Sequence, residues 1–194
     1  MIGAFREPQE GERYTYADYA QWNNGKRYEL IDGTVFMMSP SPSPTHQEIS
    51  GELFFQLRGF LEGKPCKVYS SPFDVRLNAA KKDDTVVQPD ILVVCDKTKI
   101  DDKGCNGAPD MIIEILSPST ASNDRVKKFN SYAAAGVREY WIVDPDEKSL
   151  HVCILENNKY TVTAYDHDEI EMVSVQVLEG CQINMKNIFL GSEK

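Results

Sequence analysis

Apolar positions along the chain follow two periods. In "TVVQPDILVVCD", residues 85 to 96, Val86, Val87, Ile91, Leu92, Val93 and Val94 make the near-continuous aliphatic run of a strand covered on both faces. "PDMIIEIL" at 109 to 116 and "EYWIVD", closed by Pro145, read the same way, and a further strand is expected over about 66 to 78. "YELIDGTVFMM" gives two strand-like runs separated by Asp32-Gly33, a dipeptide favoured in two-residue hairpin turns. Helical spacing follows the "SPSPSPT" breaker: Thr45 and Glu48 form a capping box ahead of the stripe Ile49, Leu53, Leu57, Phe60 and Leu61, and Gly63 ends the helix. A second helix is predicted over 122 to 135, stopped at Gly136, and a short one around Thr15 to Trp22. The charged segment "DKTKIDDKGCNG" reads as a loop, and strands are expected near 149 to 155, 159 to 165 and 172 to 178. The central order of helix, three strands, helix and strand predicts an α/β fold: one mixed sheet with helices on its faces, an N-terminal β-hairpin and extra C-terminal strands.

Composition narrows this picture. With 194 residues and no Gly/Ser/Pro-rich linker, the chain reads as one domain over 1–194, with an N-terminal helix and arm at 1–26 and a β extension at 146–194. No apolar run approaches the roughly 18 residues of a membrane span, and the N-terminus is charged, so a cytoplasmic protein without membrane contact is expected. The five cysteines, Cys66, Cys95, Cys105, Cys153 and Cys181, are far apart and form no CxxC pair, so they read as ordinary buried thiols. A net charge of -9 disfavours wrapping a polyanion around the whole surface, while leaving room for a local basic face.

Two of the apolar runs carry a defect. Asp90 interrupts the first and Glu114 the second, and a carboxylate in such a run costs several kcal/mol unless something pairs with it. One such residue is most simply a hydrogen-bonded core group. Two in neighbouring strands raise each other's proton affinity, and a divalent cation that neutralises both makes the arrangement a hard-metal site. On that reading the pair is repulsive without an ion, and Asp90→Asn is expected to leave stability unchanged or higher. Asp110 and Glu114 lie four residues apart on one strand, roughly 13 Å, too far to share an ion with oxygens at about 2.1 Å. Asp90 is the better partner, and Asp110 is expected at the strand entry near solvent.

Pro-Asp at the end of one strand, followed by an acid in the next, resembles the PD-(D/E)XK nucleases, whose common core has a similar order of elements. More narrowly, "YELIDG", "SPSPTHQ", "QPDILVV", "PDMIIEILSPST", "DRVKKFNSY" and "GVREYWIVDP" are similar to the bacterial Uma-two family of restriction-endonuclease-like proteins. The resemblance spans about residues 25 to 150 and implies a restriction-endonuclease-like core. The superfamily's lysine would fall at Leu116, which can neither orient a water nor stabilise a phosphate. The resemblance implies that the lysine has moved to the next helix. Helical spacing puts Lys127 and Lys128 on opposite flanks of a face made by Val126, Phe129 and Ala133 and does not separate them; the family pattern matches Lys128, one turn before Tyr132.

The expected chemistry is metal-assisted phosphodiester hydrolysis. Asp90, Glu114 and the Ile115 carbonyl would hold magnesium or manganese, with Lys128 positioning water or stabilising the developing oxyanion. Glu29, in "YELIDG", resembles the additional acid that some of these nucleases place beside the metal, or else is an exposed strand carboxylate. His46 reads as a surface residue of the cap region with a secondary claim on the site; Gln88 either faces the site or points outward. His151 and His167 lack metal-ligand spacing, and Tyr140 and Trp141 fit core packing better than base stacking. Nucleic acid is the implied substrate, DNA rather than RNA by resemblance, with Lys64, Lys67, Arg76, Lys81, Lys82, Lys97, Lys99 and Lys103 available to track a backbone. Cutting both strands would suit a homodimer. Two alternatives stand beside this: an inactive nuclease-fold module that binds nucleic acid, and a metal-dependent hydrolase of a small phosphorylated substrate.

Overall fold

Proline divides the apolar runs, and the chain changes sheet where it does so. The structure, a computed structural model, describes residues 7–9, 11–38, 41–117 and 123–190. The expected helix start at 122 and the outermost parts of the arm (1–6) and of the C-terminal extension (191–194) lie outside the described residues. In chain order, helix α1 (Tyr16–Tyr19) leads to β1 (Tyr28–Ile31) and β2 (Thr34–Met37), helix α2 (Pro44–Phe60), β3 (Lys67–Ser70), β4 (Val75–Arg76), β5 (Val86–Val87), β6 (Ile91–Val94), β7 (Ile100–Asp101), β8 (Gly104–Asn106) and β9 (Met111–Ile115). A π-helical turn over Asn123–Lys128 runs into α3 (Phe129–Ala135). Then come β10 (Glu139–Asp144), β11 (Ser149–Glu156), β12 (Lys159–Asp166), the pair β13 (Met172–Ser174) and β14 (Gln182–Asn184), and α4 (Met185–Phe189).

The expected α/β class is what the structure shows, but twelve of the described strands form two six-stranded sheets, ordered β2-β1-β5-β4-β8-β7 and β12-β11-β10-β9-β6-β3, and β13 and β14 pair separately. The predicted runs over 66–78 and 86–95 each give one strand to each sheet, dividing at Ser71-Pro72 and at Gln88-Pro89-Asp90. A proline has no N–H for the ladder, so pairing stops there and the chain can turn. In the second sheet β9 lies between β6, antiparallel with Ile91 opposite Ile113, and β10, parallel with Trp141 beside Ile113. The α3 segment makes the crossover that a parallel pair requires.

Alternation along β9 sends Met111, Ile113 and Ile115 to one face, where they pack with Ile49, Leu53, Leu57 and Leu61. Each of these fully buried aliphatic side chains contributes about 1.5–3 kcal/mol. Ile112 and Leu116 go to the other face, against Val75 and Val87 of the first sheet and Tyr132 of α3. Glu114 shares their parity and therefore points between the sheets. The outer face of the first sheet is covered by α1 through Tyr16, Leu30 and Val86. In the β1–β2 turn both central residues have positive φ, Asp32 at 50° and Gly33 at 74°, as a two-residue hairpin demands.

Several expectations need correction. Ser43, not Thr45, caps α2: its Oγ accepts the His46 backbone N–H at 3.2 Å, and Pro44 occupies the first turn, where a missing N–H costs nothing. The "DKTKIDDKGCNG" loop contains the β7–β8 hairpin. The strand expected over 172–178 stops at Ser174 and pairs with β14, and Gln56 ties this segment to α2 by exchanging hydrogen bonds with the Asn184 backbone. Cys66 and Cys95 form a disulfide, because the register that sets Lys67 opposite Val94 sets them opposite each other across 29 residues of sequence. Cys105, Cys153 and Cys181 are the buried free thiols expected, with burial pushing Cys105 and Cys181 up to about 11 and Cys153 to about 12. Among the described residues no helix is long and apolar enough to cross a membrane.

Candidate active site

Gln88-Pro89-Asp90 is the passage from the first sheet to the second, so Asp90 sits in a bend ahead of β6 and not in the middle of a strand. Extending the β6–β9 register by one residue from Ile91 and Ile113 sets Asp90 opposite Glu114. Asp90 Oδ2 accepts the Ile115 backbone N–H at 2.8 Å and lies 3.1 Å from His46 Nε2. The Ser43 cap places His46 in the first turn of α2, and its ring reaches the carboxylate from there. The two side chains keep 20% and 12% of their surface exposed. Among the described residues both contacts fall on Oδ2, so Asp90 is a partly satisfied carboxylate with Oδ1 directed to neither.

Glu114 is 4% exposed within β9. Its Oε1 accepts from Lys128 Nζ at 2.9 Å and from the Tyr132 hydroxyl at 2.6 Å. Lys128, also 4% exposed, lies 2.9 Å from Glu29 Oε1, and the same Glu29 oxygen accepts the Gln88 backbone N–H at 2.8 Å. One ammonium thus bridges a carboxylate of each sheet. Removing such a charge from water is costly, and two close carboxylates offset that cost. Burial, reinforced by the charges of Glu114 and Glu29, holds the Tyr132 phenol well above its ordinary range, so it remains a donor. The repulsion expected between Asp90 and Glu114 is accordingly countered by Lys128 on one side and by the Ile115 N–H and His46 on the other.

The structure therefore brings Glu29, Glu114, Lys128 and Tyr132 into direct contact and sets Asp90, His46 and the Ile115 backbone beside them. Gln88 contributes its backbone. Its side chain belongs to a neighbouring polar network, with Oε1 accepting from Arg27 Nε at 2.9 Å and Nε2 donating to Asp74 Oδ1 at 2.8 Å and Tyr19 at 3.0 Å. Asp110 caps the strand entry as expected, accepting the Cys95 backbone N–H and pairing with Arg138. Lys127 is exposed, its Nζ 4.1 Å from the Phe36 ring centroid. Val126, expected on the packed face, is 58% exposed, because the i→i+5 turn shifts the phase that a 3.6-residue period assumes. Leu116 is buried between the sheets.

Of the eight basic residues expected to track a backbone, two are held by hydrogen-bonding partners. Arg76 pairs with Asp83 at 2.6 Å and Lys99 donates to the Ala108 carbonyl at 2.7 Å, while Lys64 lies over the Phe60 ring. Asp166, His167 and Asp168 bring ligand-type atoms within 4.8 Å of one another, although the two aspartates are exposed. Arg27, Asp74 and Tyr19 were not legible from spacing, since each belongs to a different segment. Tyr140 and Trp141 are core residues, as expected.

A family model described as "Uma2: Putative restriction endonuclease" matches residues 16–186. A solved structure described as "a putative nuclease belonging to DUF820", from Anabaena variabilis, shares the fold: the TM-score is 0.75 at 19% identity, over 93% of this chain and 99% of that one. "Uncharacterized protein slr1290" from Synechocystis is 30% identical over 118 residues, 60% of this chain, and the match spans about 60% of the length of that relative.

Proposed function

The chain belongs to the Uma2 family, and from that premise we propose that it is a divalent-metal-dependent nuclease hydrolysing phosphodiester bonds, with DNA as substrate. The observation that carries the reading is the buried Lys128 ammonium, 2.9 Å from both Glu29 and Glu114, with Asp90 on the adjoining strand end. Three carboxylates against one ammonium leave a formal excess of two negative charges, the charge that one magnesium or manganese ion brings. The donors are all oxygen, as those ions prefer. The residues present fit such an ion, which Asp90, Glu114 and the Ile115 carbonyl would hold. When bound, it supplies an acidified water and charge neutralisation at the scissile phosphate.

The chain's own groups divide the remaining work. Glu29 fixes the Lys128 side chain, and Lys128 brings positive charge to the side on which charge develops on the phosphate. Tyr132 orients Glu114 through its 2.6 Å hydrogen bond, and the Ile115 N–H and His46 orient Asp90. Supercoiled plasmid incubated with manganese should be nicked or linearised by the wild type, and not by Asp90→Ala, by Glu114→Ala or in chelator. Equal cleavage by all three proteins would mark a contaminant and overturn the reading. The burial of Leu116 where the superfamily has its lysine favours one rival, a nuclease-fold module that binds without cutting; metal binding without cleavage in the same assay would select it.

A further inference from the structure

We propose that the open cleft beside this site seats a single nucleic-acid strand, with Lys127 and Phe36 as its principal contacts; the proposal rests on the nuclease reading. The cleft, about 840 Å³, lies between the β1–β2 hairpin, the loop over 77–85, residues 106–108 and the outward face of the α3 segment. That volume falls in the range of about 300–1,000 Å³ typical of ligand clefts.

Its position follows from the strand register. Phe36 pairs directly with Glu29 across the hairpin, so the two side chains share a face one strand apart. Lys127 adjoins Lys128 in sequence, yet the wide turn sends the first outward and the second inward. The cleft therefore begins where the Glu29–Lys128 contact ends.

Its chemistry also differs from the rest of the surface. On a chain of net charge -9, the cleft lining carries Lys81 and Lys127, with Arg13 held by the Asp32 carbonyl and Thr34 Oγ1, against a single acid, Asp32. Within it the half-buried Phe36 ring lies under Lys127, and Val126 adds exposed apolar surface. Cations that track phosphates, interleaved with an aromatic face on which a base can stack, are the parts single-strand sites use.

The test is fluorescence anisotropy of a labelled single-stranded oligonucleotide with the full chain in chelator, where cleavage does not intervene. Wild type should bind, and Lys127→Glu should bind at least about tenfold more weakly at low salt, with a salt slope shallower by about 0.7 per lost phosphate contact. Phe36→Leu, which keeps an apolar side chain and loses the ring, should weaken binding about fivefold or more. Lys186→Glu, exposed on α4, should match the wild type. Unchanged affinity in both cleft variants would overturn the proposal, as would absence of binding by wild type or tighter binding of a duplex. Plasmid cleavage by wild type alongside unchanged variant affinity would sink the cleft and keep the nuclease; variant-sensitive binding without any cleavage would do the reverse.

Discussion

Glu114 and Glu139 are buried carboxylates on adjacent, parallel strands of one sheet, and they are satisfied in different ways. Glu139 accepts from neutral donors, Trp141 Nε1 at 2.7 Å, the Val177 backbone N–H at 2.8 Å and the Gln176 backbone, with the Arg138 charge acting on it as well. Burial raises its proton affinity against the pull of those donors. It pins the segment around Val177 to the sheet. Glu114, pointing to the opposite face, shares an ammonium with Glu29 and has Asp90 across the ladder. Burial alone therefore does not mark a reactive carboxylate. A shared cation and converging acids from two sheets are the features on which the proposed site rests, since such an excess of charge is the kind of arrangement a bound ligand can offset.

The contrast can be broken most forcefully at Lys128. Lys128→Ala should cost about 3–5 kcal/mol of stability by leaving buried carboxylates without their counter-charge, and should lower turnover at least about a hundredfold. Urea unfolding and plasmid cleavage check both, and Lys127→Ala should act on KM rather than kcat. A larger kcat loss at Lys127 would assign the wrong lysine. Tyr132→Phe removes one hydrogen bond to a charged acceptor and should cost about 1.5–3 kcal/mol by the same unfolding measurement. No loss would mean that Glu114 does not depend on the phenol.

The smallest effect is expected at Glu139. Its folded proton affinity lies above the ordinary 4.5, so the stability linked to its proton is fully present below that value and is lost as pH rises through the higher folded value. Glu139→Gln does not titrate. The stability of wild type minus that of this variant should therefore fall as pH rises from about 4.5, while plasmid cleavage is unaffected. A difference that rises with pH would contradict the assignment.

Much of the candidate site was legible because carboxylates stand out in apolar runs. Asp90 and Glu114 were found that way, and the β-hairpin, β9, β10 and the helix stop at Gly136 followed from period and turn chemistry. Periodicity failed where backbone geometry departs from the period it assumes. Lys127 is exposed and Lys128 buried along the π-helical turn, a difference that no 3.6-residue wheel contains. The division of two apolar runs between two sheets was missed because both halves are buried, so their hydrophobicity is continuous across the break. Glu139 does not stand out at the start of its strand, where a carboxylate usually reaches solvent; its partner Val177 comes from a segment 38 residues away. The Cys66–Cys95 pairing likewise depends on strand register and not on spacing.

The central claim, that Asp90 and Glu114 hold a divalent cation, is tested most directly by thermal melts in chelator and in excess manganese. In chelator, Asp90→Asn should lie within about 1 kcal/mol of wild type, since its amide oxygen can still accept the Ile115 N–H at the 2.8 Å position. Manganese at about 100 times its dissociation constant should stabilise wild type by about 2.7 kcal/mol and Asp90→Asn far less, while Glu139→Gln should gain as much as wild type. A wild type indifferent to manganese, or an Asp90→Asn variant stabilised to the same degree, would contradict the metal site.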